Sequence, residues 1–267
     1  MHPIHVSHTA RRNRLILPIA VIALGIALFS IANVVQATDA AKLAASTALS
    51  PHAAYPTTTT LTSSQNPSTF GQAVTFTAVV SSGVQIVSGV VTFTIDSIVV
   101  DTRALVPGAP AAATYVTSSL AVSSHTVRVD YYDATGTFDP GSANLSPNQT
   151  VNIASTTTTV VSSASPSVFG QTVWFTATVS AAPPGSGTPT GSVQFKDGAV
   201  NLGGPVALTT GSASISTAGL SAGTHVITVD YPGDGNFNAS TGTLSPNQVV
   251  GKANTTTTLA SSANPSV

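Results

Sequence analysis

The sequence predicts an all-β fold, tandem β-sandwiches preceded by an N-terminal hydrophobic helix, on three observations. The tetrad Thr-Thr-Thr-Thr stands at Thr57–Thr60, Thr156–Thr159 and Thr255–Thr258, a spacing of 99 residues both times. It opens similar runs: LTSSQNPSTFGQ from Leu61, VVSSASPSVFGQ from Val160 and LASSANPSV from Leu259. Such a period is too long for a solenoid and fits a whole small domain. Within each copy, apolar and hydroxyl residues alternate at the period of a half-buried strand. Charged residues make up only 6%, and all nine acidic residues are Asp. The best polar helix formers are therefore scarce, while the abundant Thr, Val and Ser suit strands and turns.

Residues 1–37 read as a signal peptide or a signal-anchor. Arg11, Arg12 and Arg14 precede an apolar run from Leu15 to Val35, and Val35-Gln36-Ala37 offers a cleavage site. The run is longer than the ~7–15 apolar residues usual in a signal and long enough to span a bilayer. Both a cleaved signal and a membrane anchor formed by residues 15–35 stay open. Positive charge before the run places the repeats outside in either case. Residues 38–56 form an Ala-rich linker, residues 57–154 a first repeat and residues 155–254 a second. Residues 255–267 are the truncated start of a third repeat, enough for one strand only and expected to be poorly ordered.

The strands follow in matching order. Ala73–Val80 turns Val74, Phe76 and Ala78 to one face, and Thr172–Ser180 does the same with Val173, Phe175 and Ala177. Val91 and Phe93 answer Val193 and Phe195. Ala111–Leu120 answers Gly211–Leu220, and His125–Tyr131 answers His225–Tyr231. The motif Leu145-Ser146-Pro147-Asn148-Gln149 returns as Leu244-Ser245-Pro246-Asn247-Gln248. Length differences between the copies fall between strands, in Gly-, Pro- and Ser-rich segments such as Ala181–Gly191. Loops absorb such changes and packed strands do not. About seven short strands in ~100 residues is the pattern of an Ig-like sandwich. There is no cysteine, so core burial alone must hold each copy together.

At these residues the chain resembles the bacterial Ig-like repeat family of long extracellular proteins. The resemblance rests on Ser165-Pro166-Ser167, Phe169-Gly170-Gln171, Thr188-Pro189-Thr190-Gly191-Ser192-Val193, Leu220-Ser221-Ala222-Gly223-Thr224-His225 and Tyr231-Pro232-Gly233-Asp234-Gly235-Asn236-Phe237. It implies a β-sandwich, placement at the cell surface or in the medium, and a spacer or adhesive role without catalytic residues. The first copy departs from the pattern at Tyr131–Gly136, where the Gly-Asp-x-Asn turn is lost.

Composition excludes a nucleic-acid partner. Beyond Ala37 there are five basic and nine acidic residues, and no basic patch to release counterions. Gly219-Leu220-Ser221-Ala222-Gly223 satisfies the pattern of a hydrolase nucleophile, but that chemistry needs a strand, a strained turn and a helix. Ser221 falls between two strands, so it reads as a turn residue. Paired carboxylates for glycoside hydrolysis would have to be Asp pairs, and the chain reads as no enzyme with no cofactor.

Asp230, Asp234 and Asn236 are the weak metal candidates. They offer three oxygen ligands, where calcium takes six to eight, and an Asx-turn explains the same residues. His2, His5 and His8 are evenly spaced but precede the export segment. His125 and His225 open matching strands, which points to a strand-end hydrogen bond. Trp174, the sole tryptophan, replaces Thr75 of the first copy and should stand on the outer face of its sheet. It is the weak candidate for ligand binding, since exposed indoles stack on sugars or anchor proteins.

The expected function is a non-enzymatic, exported cell-surface spacer or adhesive stalk. The alternatives are a glycan- or protein-binding module at the cell surface and the non-catalytic appendage of a larger secreted enzyme. Membrane contact is expected only through the N-terminal segment.

Overall fold

A computed structural model describes residues 53–108 and 110–262. The N-terminal hydrophobic segment, most of the linker, His2, His5, His8 and the last five residues lie outside that range. Among the described residues there is no helix, so none is long and apolar enough to cross a membrane.

The first copy is built from ten strand segments. These are β1 (Thr58–Ser63), β2 (Ser68–Thr69), β3 (Val74–Ser81), β4 (Val90–Ile95) and β5 (Ile98–Ala104). Then come β6 (Ala111–Thr117), β7 (Ser124–His125), β8 (Val127–Tyr132), β9 (Gly141–Asn144) and β10 (Gln149–Asn152). One sheet runs β1-β3-β6 and the facing one β5-β4-β8-β9, while β2-β10-β7 closes one end. The alternation does what it predicts. β3 reads buried at Val74, Phe76, Ala78 and Val80, and β4 at Val91, Phe93 and Ile95. Fully burying a side chain of this size contributes about 1.5–3 kcal/mol.

The second copy repeats the order. Its segments are β11 (Thr156–Ser162), β12 (Ser167–Val168), β13 (Val173–Ala181), β14 (Ser192–Asp197), β15 (Val200–Asn201) and β16 (Val206–Ala207). They continue as β17 (Ser212–Thr217), β18 (Gly223–His225), β19 (Ile227–Tyr231), β20 (Ser240–Thr243) and β21 (Gln248–Gly251). The sheets are β11-β13-β17, β15-β14-β19-β20 and β12-β21-β18. Each copy has its own core, the first centred on Phe76 and Phe93, the second on Phe175 and Phe195.

The segments outnumber seven because single strands switch sheets. The run His125–Tyr131 divides at Thr126: His125 pairs with Gln149 of β10, and Val127 onward pairs with β4. Asp96 holds the crossing, accepting the Thr126 N–H on one oxygen at 2.9 Å and meeting His125 Nδ1 on the other at 2.6 Å. After β1, Pro67 brings no N–H to a ladder, and the chain crosses to pair in parallel with β10.

Residues 252–262 contain no strand and are exposed, so within the described residues the third tetrad pairs with nothing regular.

Candidate functional site: the joint between the two copies

Ala154 is the centre of the joint. It is fully buried, donates its N–H to Asn236 O at 2.9 Å and accepts from Asn238 N at 2.8 Å. This ties the linker as a parallel bridge to Phe237 of the second copy. The same arrangement occurs two residues before the first tetrad. Tyr55 donates to Thr137 O and accepts from Asp139 N, both at 2.9 Å, in a bridge to Phe138. A residue two positions before each of these tetrads is therefore laced onto the loop behind β8 or β19.

From the first copy comes the Phe70-Gly71-Gln72 corner between β2 and β3. Phe70 anchors its own N–H on Asn152 O at 2.8 Å and turns its ring edge-on to Phe237, with centroids 5.4 Å apart. From the second copy comes the loop between β13 and β14. Ser186 donates its N–H to Phe70 O at 3.2 Å and its hydroxyl to Gly71 O at 2.6 Å. Gly71 has φ +77, and a Cβ there would stand 2.1 Å from Ser186 O. Only glycine allows both the backbone and the approach. The Gly-, Pro- and Ser-rich segment where the second copy is longer than the first is thus the segment that reaches across.

The loop carrying Phe237 is held by Asp234. Its carboxylate accepts from Asn236 N at 2.8 Å, Phe237 N at 2.9 Å, Thr190 N at 2.9 Å and Thr190 Oγ1 at 2.6 Å. Burial works to raise its pKa, but these donors outweigh burial and bring it down to about 2. The neighbouring Tyr231 hydroxyl is pushed up to about 12 by burial and by the Asp234 charge.

Asp230 is engaged elsewhere, with Lys196 Nζ at 2.7 Å and Thr241 Oγ1 at 2.7 Å. Asn236 gives its backbone to the turn and the joint. Asp230 and Asp234 are thus held by separate partners and Asn236 is engaged through its backbone; no group of three His, Cys, Asp or Glu side chains occurs among the described residues. The first copy keeps the device despite losing the Gly-Asp-x-Asn turn. Asp133 accepts from Thr135 N and Oγ1, Thr137 N and Phe138 N. Sequence comparison missed this because Asp133 stands five residues before its Phe, and Asp234 only three.

His125 and His225 are buried and share one geometry. Nδ1 faces a carboxylate, Asp96 at 2.6 Å or Asp197 at 2.7 Å, and Nε2 faces a carbonyl, Ala121 O at 2.9 Å or Ser221 O at 2.8 Å. A carbonyl and an ionised carboxylate only accept, so this geometry suits the imidazolium form, in which both ring nitrogens donate. Burial acts to lower each histidine pKa, yet the carbonyl and the carboxylate together raise it above its usual value. Ser123 Oγ stands 3.1 Å from His125 Nε2, which with Asp96 makes the outline of a nucleophile triad. When Nε2 donates to Ala121 O it has no lone pair to take the serine proton, which a general base needs. In the second copy Gly223 occupies the matching place. Ser221 meets His225 through its carbonyl, in a turn between β17 and β18 rather than at a strand-to-helix elbow.

Trp174 stands on the outer face of β13 and is 53% exposed. Thr176, Thr178 and Ser180 follow it on that face, and Thr176 Oγ1 meets Ser214 Oγ of β17 at 2.8 Å. The result is a sheet face of mostly hydroxyl side chains, with the indole at its end and the exposed Val161 of β11 opposite Thr176.

Comparison with protein families matches residues 157–250 to the bacterial Ig-like domain (group 3). A comparison with curated proteins finds no match. Among solved structures the chain is similar to the fibronectin(III)-like modules of Clostridium thermocellum CbhA. They are 16% identical, covering 73% of this chain and 95% of that one, with a TM-score of 0.29. Titin domains Z1Z2 in complex with telethonin are 14% identical over 74% of this chain and 100% of theirs, TM-score 0.37. The mouse nectin-like molecule 4 ectodomain is 14% identical over 75% of this chain and 66% of that one, TM-score 0.31. The strand order and the family match agree: residues 157–250 are similar to the bacterial Ig-like domain and follow a first copy with the same sheet order.

Proposed function

We propose that the chain is a non-enzymatic, exported Ig-like repeat protein that serves as a structural or adhesive stalk at a cell surface. The observation that carries this reading is the joint. Loops alone form it, so the outer sheet faces of both copies stay available, while Ala154, Phe70 and Ser186 restrain the two copies against each other. The basic and apolar N-terminal segment supports export. The test is expression of the whole chain in a bacterium, followed by fractionation and protease treatment of intact cells. Repeats that reach the medium or are shaved from the surface support the reading. Repeats protected inside intact cells overturn it.

A second reading is favoured by Trp174 at the edge of its hydroxyl-lined face, a chemistry that suits a polysaccharide chain: stacking on the indole, hydrogen bonds to Ser and Thr. On this reading the whole protein binds a glycan panel, and Trp174→Ala abolishes the signal without changing the circular dichroism. Unchanged binding by that variant removes the reading.

A further inference from the structure

The Phe-Gly-Gln corner occurs twice, and only one of the two is in use. In the first copy Phe70 is partly buried against the second core, and Gly71 lies under Ser186. In the second copy Phe169 is 57% exposed, and nothing stands within 4 Å of where a Gly170 Cβ would be. The two corners are nonetheless held alike. Phe169 N donates to Gly251 O at 2.8 Å, as Phe70 N does to Asn152 O at 2.8 Å. Gln171 Oε1 accepts from Val168 N at 3.1 Å, as Gln72 Oε1 does from Thr69 N at 2.9 Å. Gly170 and Gly71 share the left-handed backbone, at φ +85 and +77. An exposed phenylalanine kept rigid by its own loop loses little conformational entropy when covered, which favours burial against a partner.

The linker repeats too. Tyr55, Ala154 and Ala253 each stand two residues before a threonine tetrad. The first two are bridged to Phe138 and Phe237, while Ala253 is exposed.

We propose that Phe169–Gln171 and Ala253 form a ready-made seat for one occupant, a further Ig-like copy entered through Thr255. The occupant supplies the counterparts of three groups that the second copy already supplies to the first. These are a phenylalanine ring set T-shaped to Phe169, a Gly-Ser-Gly loop whose hydroxyl meets Gly170 O, and a loop backbone that pairs with Ala253. Because the seat continues an interface the chain already makes, its geometry is defined by the first joint. The inference rests on the stalk reading and deepens it: each copy carries a Phe-Gly-Gln corner at one end, and a copy with the longer Gly-Ser-Gly loop of the second copy at the other end receives it, so the joint can propagate along the chain.

The test is hydroxyl-radical footprinting read by mass spectrometry, with Phe70 as the internal reference. In the chain as it stands, Phe169 is modified several-fold faster than Phe70. In an extended protein, with residues 156–254 repeated directly after Asn254, Phe169 falls to the rate of Phe70. Replacing the appended counterpart of Phe237 by Ala restores part of the Phe169 reactivity. If Phe169 stays fully reactive in the extended protein while Phe70 is protected, the seat is refuted and the stalk reading survives. If Phe70 is as reactive as Phe169 in the original chain, the first joint does not form and both readings fall.

Discussion

Gln149 and Gln248 are both fully buried, and each uses its whole amide. Gln248 Nε2 donates to Ala164 O, Ser167 Oγ and Val249 O at 2.8, 3.1 and 3.2 Å, and Oε1 accepts from Ser162 Oγ at 2.6 Å. Gln149 does the same with Gln65 O, Ser68 Oγ, Thr150 O and Ser63 Oγ. These clasps explain why the Ser-Pro-Asn-Gln motif and the serines after each tetrad recur together: they tie the first strand of a copy to its last. Gln248→Ala leaves a cavity and takes the Ser167 hydroxyl's partner away, for an expected loss of about 3 kcal/mol. The denaturant midpoint of the second copy should fall with no change in slope. Gln248→Glu keeps the shape but turns a carboxylate toward the Ala164 carbonyl, so its loss should be no smaller. The histidines act at the same scale. Their pKa is raised on folding above the usual 6.5, so their contribution is complete below that pH and is lost as pH rises through the folded value. The His125 bond holds the Asp96 pKa down, and that contribution disappears only as pH falls through the lowered carboxylate value. Stability measured from pH 6 upward should therefore decline, and the double variant His125→Gln, His225→Gln should flatten the decline. A slope unchanged in the double variant would place the proton uptake elsewhere.

At the scale of elements, the strands are the legible part and the loops are not. A strand writes its burial into the sequence every second residue, so Val74-Thr75-Phe76-Thr77-Ala78 declares which side faces the core. The switch at Thr126 leaves no such mark, because Val127 and Val129 keep the same alternation whichever sheet β7 joins. The joint is harder still to read. Phe169 and Phe70 occupy identical motifs, and only the presence of a neighbour makes one of them partly buried. A loop of Ala, Pro, Gly and Ser also looks the same in sequence whether it is idle or bridging. Deleting Gly185-Ser186-Gly187 tests which it is. The deletion removes both Ser186 hydrogen bonds and spares every strand, so the second copy should lose under about 1 kcal/mol. In ¹⁵N relaxation the two copies should then tumble with separate correlation times, where the parent shows one. A parent that already shows two would mean the bridge does not restrain the copies.

At the scale of the whole molecule, the question is how strongly one copy feels the other. Their cores are separate. What crosses between them is one aromatic pair, worth about 0.5–1.5 kcal/mol beyond its buried area, and a few hydrogen bonds of about 1 kcal/mol each. Each core, in contrast, holds the net stability of a domain, about 5–15 kcal/mol. The copies should therefore unfold as two units with weak coupling, as in other arrays whose repeats touch only their neighbours. The chain carries its own reporter, since its sole tryptophan is in the second copy. Gln248→Ala should shift the unfolding midpoint seen by Trp174 fluorescence by the full loss. Gln149→Ala, in the first copy, should shift that midpoint by no more than the coupling across the joint, about 1–3 kcal/mol in all. The same Gln149 variant should move part of the far-ultraviolet circular dichroism transition by the full amount. If it instead moves the Trp174 signal as far as the dichroism, the two sandwiches fold as one cooperative block. The joint would then be a continuation of the cores rather than a hinge between them.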